Sequence, residues 1–149
     1  MSSPNDKKAG DLFLEGYNCA QAVFAANATK LGLPFETALK LSAPLGGGVG
    51  RMRNVCGAFS ACAMLMGLKE SDASNSKESK ALIYKKTQEL AEKFKAQNGS
   101  IICAELLKLE ENQNTNPTPD ERDSKYYATR PCLRIVEKAD ALIKERLGL

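Results

Sequence analysis

Five cysteines carry most of the chemistry open to this chain: Cys19, Cys56, Cys62, Cys103 and Cys132. No histidine occurs anywhere in its 149 residues. That absence removes Ser–His and Cys–His nucleophile pairs, imidazole acid–base catalysis and every zinc site built on His. Chemistry must then rest on thiols, carboxylates, lysine, tyrosine or a bound cofactor. An odd number of cysteines spread over the whole chain does not describe a small disulfide-stapled fold. The start, Met-Ser-Ser-Pro-Asn-Asp-Lys-Lys, has no apolar signal stretch, and no run is long enough to span a bilayer. The expectation is a cytoplasmic protein whose thiols are reduced at rest.

Composition narrows the partners. Apolar residues at 43% and charged residues at 26% suit a globular chain, so wholesale disorder is not expected. Aromatics make up 6% and Trp is absent, which leaves few rings for stacking nucleic-acid bases. Lys and Arg number 21 against 18 Asp and Glu, a net charge of +3 that is spread evenly. Neither a nucleic-acid face nor a basic membrane anchor is expected from this balance.

The elements that must position the cysteines read as helices throughout. Pro4 opens a short helix to Leu14, stopped by Gly16, and a second runs from Cys19 to Leu31 with Gly32 as its stop. A third starts at Pro34 and ends before Pro44. The tightly turning stretch Gly46-Gly47-Gly48-Val49-Gly50-Arg51 then precedes a fourth helix, from Asn54 to Met66, with Gly67 as its stop. The fifth spans Ser76–Gln97, carrying Ile83, Thr87, Leu90 and Phe94 as one stripe before Asn98-Gly99. A short sixth runs from Ser100 to Leu109, and Glu111–Thr129 reads as a polar loop in which Tyr126-Tyr127 either lids a site or packs. Pro131–Leu147 closes the chain as a helix with Cys132, Ile135, Val136, Ala139, Leu142 and Ile143 on one face. The fold class expected is all-α: one helical bundle of six or seven helices over residues 1–149, with a glycine-rich loop before the fourth.

Four cysteines share one local setting, the first turn of a predicted helix. Cys19 follows the N-cap candidate Asn18, Cys56 leaves the glycine loop, Cys103 stands three residues after Ser100, and Cys132 follows Pro131. Unpaired backbone N–H groups and the helix dipole favour a thiolate there, lowering a thiol pKa from about 8.5 to roughly 3.5–7.5. Cys62 differs: it sits mid-helix, about 120° around the axis from Cys56, and reads as packing. Two expectations follow. Cys19 and Cys56 should lie near each other, and Cys56, with Arg51 and Arg53 just before it, should be the most activated thiol.

Other chemistries are less well served. Sequence gaps of 37, 47 and 29 residues between the four cysteines, with no C-x-x-C, lack the close pairs of zinc ribbons, ferredoxins and thioredoxins. A zinc or iron–sulfur site on Cys19, Cys56, Cys103 and Cys132 would have to be gathered from four separate helices. The glycine loop lacks the Gly-Lys-Ser/Thr of a P-loop, so Gly47, Gly48 and Arg51 are candidates for holding an anion or cofactor without a nucleotide signature. Glycine equally lets the backbone approach another segment closely.

At these residues the chain resembles the C_GCAxxG_C_C family of redox-active proteins. The likeness shows in Glu15-Gly16-Tyr17-Asn18-Cys19-Ala20-Gln21-Ala22-Val23, in Gly46-Gly47-Gly48-Val49-Gly50-Arg51-Met52 and in Val55-Cys56-Gly57-Ala58-Phe59-Ser60. It continues in Gly99-Ser100-Ile101-Ile102-Cys103-Ala104-Glu105-Leu106-Leu107 and in Cys132 at the head of the last helix. By this resemblance Cys19, Cys56, Cys103 and Cys132 take the four family positions and act in redox chemistry with an unnamed redox partner. Two departures stand out: Val55 replaces the Gly before Cys56, and Ser60 or Ala61 replaces the closing Gly. The reading is a cytoplasmic thiol redox or electron-transfer protein; its rivals are a Cys-ligated metal module and a helical interaction protein with structural cysteines.

Overall fold

The computed structural model describes residues 7–108 and 115–149. Among the described residues eight α-helices occur, in the order α1 Ala9–Leu14, α2 Cys19–Ala28, α3 Phe35–Ser42, α4 Gly57–Glu70, α5 Lys77–Asn98, α6 Cys103–Leu106, α7 Ser124–Thr129 and α8 Cys132–Leu147. The fold is all-α, as the helical spacing implied. No helix among the described residues is long and apolar enough to cross a membrane.

Alpha-2 is the central helix because it is apolar on every side. Ala20, Ala22, Val23, Phe24, Ala25, Ala26 and Ala28 are all buried, and the helix packs against α1, α3, α4 and α8. Its small side chains let neighbouring backbones approach closely. Asn18 caps its start: the side chain accepts from the Gln21 N–H at 2.8 Å, while Gln21 Oε1 accepts from the Asn18 N–H at 3.1 Å. The second half of the apolar core comes from α4, α5 and α8, where Phe59 and Phe94 meet edge to face at 5.6 Å between ring centroids.

Buried polar groups tie three helices together. Asp140 on α8 accepts from the Ala9 N–H at the start of α1 (3.3 Å), from Asn27 Nδ2 on α2 (2.8 Å) and from Lys144 (2.9 Å). Further along α8, Glu70 is held by Lys86 on α5 and Arg146 on α8, each at 2.8 Å. Lys86 foremost, then Arg146, keeps the Glu70 carboxyl below its usual range.

Several boundaries depart from the sequence reading. Alpha-4 does not stop at Gly67; it continues to Glu70, because the Glu70 ion pairs favour one more helical turn over the roughly 1 kcal/mol penalty of a helical glycine. The sixth helix shrinks to Cys103–Leu106, since Ile102 is extended and forms an antiparallel bridge with Val55; its expected end at Leu109 lies outside the described residues, as does Pro4. The stretch expected as a polar loop contains α7, started by Asp123, whose side chain accepts from the Tyr126 N–H.

Removing the Asp140 carboxylate would take the acceptor from the buried Ala9 N–H and leave the Asn27 amide only the Val23 carbonyl. Asp140→Ala is expected to cost about 2–4 kcal/mol in chemical denaturation, well beyond a surface substitution.

Candidate functional site

The site begins where the starts of α2 and α4 meet. Gly57 is the first residue of α4, and a Cβ there would stand 2.7 Å from Cys19 Sγ, 2.8 Å from the Leu45 carbonyl oxygen and 3.0 Å from Ala20 Cβ. Only a residue without a side chain permits that approach. Cys56 immediately precedes it as the N-cap of α4, and Cys19 is the first residue of α2. Cys19 and Cys56 therefore come together across 37 residues of sequence, as expected.

Their roles are the reverse of the sequence expectation. The Cys56 thiol foremost, and then the backbone N–H groups of Gly47, Ala20 and Gly57, lie where they favour a negative charge on the Cys19 sulfur. Against the cost of burial, these groups bring the Cys19 thiol down to about 6. Cys56 is pushed well above the ordinary thiol range, first because its proton is engaged by Cys19, then by burial and by the charge beside it. Arg51 and Arg53, the reason for favouring Cys56, point elsewhere. Arg53 Nη1 reaches Cys103 Sγ at 3.8 Å, and Arg51 donates through Nε to the Asn116 carbonyl at 2.7 Å and pairs with Asp120 at 3.5 Å.

Cys103 and Cys132 also head their helices, α6 and α8. Burial raises the Cys103 thiol despite Arg53. It also raises Cys132, together with the charge on Cys19, to about 11, although the Tyr126 hydroxyl donates to the Cys132 sulfur. Helix termini thus fail to activate these two sulfurs because desolvation outweighs them. Cys62 is fully buried beside the Ala139 carbonyl, and burial first, then Asp140, drives its thiol far up. It stands apart from the other four, as expected.

Cys19, Cys56, Cys103 and Cys132 line one cavity of about 330 Å³. The backbone route to this arrangement is the bridge at Val55: the Cys56 N–H donates to Ile101 at 2.7 Å, and the Cys103 N–H donates to Asn54 at 2.6 Å. The glycine stretch curls beside it, with φ positive at Gly47, Gly48, Val49, Gly50 and Arg51. Of the three residues expected to hold an anion or cofactor, Gly47 and Arg51 line the cavity and Gly48 does not. A Cβ on Gly48 would stand 2.6 Å from the Asn54 nitrogen and 2.7 Å from Cys103 Cβ, so this glycine serves close packing against the Cys103 segment.

The sequence reading missed Arg122, Arg130, Asp120 and Gly57, which line the cavity too. It left Tyr126, another lining residue, undecided between lid and packing. Arg122 stacks 4.1 Å from the Phe13 ring centroid, and its two terminal nitrogens donate to the Phe13 and Tyr17 carbonyls. No periodicity marks these positions; only the Asp123 cap three residues before Tyr126 offered a local signal.

Among the described residues no group of three or more Cys, Asp or Glu side chains is placed to hold one metal ion. Of the cavity sulfurs, Cys103 is reached by Arg53 Nη1 at 3.8 Å.

The model of a family described as "Putative redox-active protein (C_GCAxxG_C_C)" matches residues 17–146. The chain belongs to that family. No curated protein and no solved structure matches it. In this member of the C_GCAxxG_C_C family the close approach is supplied by Gly57, one position after Cys56, where the name of the pattern would place a glycine before it.

Labelling, stability and substitution test this geometry. Iodoacetamide labelling of Cys19 should titrate with a midpoint near pH 6. Cys56→Ala should move that midpoint upward, whereas Cys56→Ser, which keeps a donor, should move it less. Between that pH and the ordinary thiol value of about 8.5 the unfolded chain binds the extra proton, so the reduced protein should gain stability as pH rises through this window. Gly57→Ala should destabilise by about 1–3 kcal/mol through overpacking and lift the Cys19 midpoint by displacing its sulfur.

Proposed function

We propose that this chain is a thiol–disulfide redox protein of a reducing, cytoplasmic setting, with Cys19 as attacking sulfur and Cys56 as resolving sulfur. What supports the reading is that Cys19 and Cys56 stand at the adjoining starts of α2 and α4 and both line one cavity. Disulfide exchange needs a thiolate that a substrate sulfur can reach and a second thiol close enough to displace it. Cys19 is half-buried and ionised near neutrality, while Cys56 lies buried behind it with its proton retained. Attack by Cys19 would form a mixed disulfide; attack by Cys56 would release the substrate thiol and leave a Cys19–Cys56 disulfide. Cys103 and Cys132, protonated thiols on the same cavity, are assigned to exchange with a substrate sulfur held there.

The test is mild oxidation of the reduced protein with diamide, which accepts two electrons and two protons, followed by alkylation and peptide mapping. The expected product is an internal Cys19–Cys56 disulfide with Cys62 still a free thiol. Recovery of Cys19 and Cys56 as separately alkylated residues, with another pair joined, would overturn the assignment.

A further inference from the structure

The cavity that holds the sulfurs is also strongly cationic. Arg51, Arg53, Arg122 and Arg130 line it, against Asp120 as the one carboxylate among its described lining residues. Two of these arginines are already committed. Arg122 is fixed by the Phe13 and Tyr17 carbonyls, and Arg130 pairs with Asp120 at 3.2 Å. Arg51 and Arg53 are not saturated: Arg51 Nη2 and Arg53 Nε are buried and have no hydrogen-bond partner among the described residues. A buried guanidinium N–H left unpaired is costly, and a carboxylate is the acceptor whose geometry matches it best. Arg53 also touches Cys103 Sγ, so an anion held there would lie among the sulfurs. The cavity volume of about 330 Å³ falls within the range of small-molecule sites, roughly 300–1,000 Å³.

We propose that Arg51 and Arg53 form an anion subsite, and that the substrate of the Cys19–Cys56 pair is a small disulfide carrying a carboxylate. The inference rests on the exchange reading for its chemistry and on the arginines for its specificity. In the first step the Cys19 thiolate attacks one substrate sulfur, the substrate S–S bond breaks, and one half leaves as a thiolate. In the second, Cys56 loses its proton to the other half and attacks the Cys19 sulfur, releasing that half as a thiol. The substrate disulfide gains two electrons and the protein dithiol loses two, so the exchange closes without a further reagent. Asp120, which occupies Arg51 and Arg130 in the free protein, is the internal carboxylate the substrate must compete with.

The test compares three disulfides on the reduced protein: anionic 3,3′-dithiodipropionate, neutral 2-hydroxyethyl disulfide and cationic cystamine. The rate of Cys19–Cys56 disulfide formation is read by peptide mapping. The anionic compound should react about tenfold faster than the neutral one, and cystamine slowest, the scale of one charge-assisted contact. Arg51→Gln and Arg53→Gln should each lower the anionic-to-neutral rate ratio, and Asp120→Asn, at a partly exposed position, should raise it. Equal rates for anionic and neutral disulfides, or a ratio untouched by all three substitutions, would overturn the subsite. A sulfur-free probe separates the two readings: adipate should slow iodoacetamide labelling of Cys19, and Arg51→Gln should abolish that protection. If adipate protects but no disulfide oxidises the pair, the anion subsite stands and the exchange reading falls. If the neutral disulfide oxidises the pair and adipate gives no protection, the exchange reading stands and the subsite falls.

Discussion

A negative charge on a sulfur inside a bundle must be met by donors, and the arrangement around Cys19 follows from that requirement. Four groups favour that charge: the Cys56 thiol and the N–H groups of Gly47, Ala20 and Gly57. They come from three separate stretches of chain, so the charge is sustained only while α2, the glycine turn and α4 keep their mutual positions. The same requirement explains the small residues at the junction. A side chain at position 57 would occupy the space of the sulfur itself, and one at position 46 would stand 2.5 Å from Asn18 Nδ2, the residue that caps α2. Packing and electrostatics are here one constraint.

The glycine turn shows what that constraint costs locally. Positions 47 to 51 all take left-handed backbone angles, and two of them are not glycine: Val49 at φ 64° and Arg51 at φ 64°. A β-branched residue in that region carries strain on the order of 1–3 kcal/mol, which persists only where surrounding contacts enforce it. Hydrogen bonds do so: Gly50 donates to Pro44 at 2.7 Å, Arg53 to Gly47 at 3.1 Å and Asn54 to Gly48 at 2.8 Å. The turn aims one amide at Cys19 and sends the Arg51 side chain across to Asp120, so its strain coincides with the site.

Much of the fold was readable from local signals. The α2, α5 and α8 boundaries fall within a residue or two of their glycine stops and cap residues, counting the tight turn at Thr29–Leu31 that completes the second helix. Local rules also placed four cysteines in the first turn of a helix; the structure puts three at the first residue and Cys56 at the cap. They did not reveal which sulfur would hold the charge, because that depends on donors from Gly47 and Gly57, brought in by tertiary packing. Charge proximity in sequence misled: Arg51 and Arg53 precede Cys56 yet reach Asp120 and Cys103. The extended pairing of Val55 with Ile102 was equally invisible, since each segment alone reads as the approach to a helix.

The Cys19 charge has a consequence beyond reactivity. A thiolate among arginines neutralises part of their field, and that charge disappears whenever the sulfur enters a disulfide. Oxidation therefore leaves the cavity more positive than before, and attraction for any negatively charged species strengthens at that moment. By thermodynamic reciprocity such a species must favour the oxidised state to the same degree, making the pair more strongly reducing in its presence. Under the proposed exchange, electron count and net charge in this cavity are linked equilibria, and the reduction potential of the pair depends on the salt and anions around it.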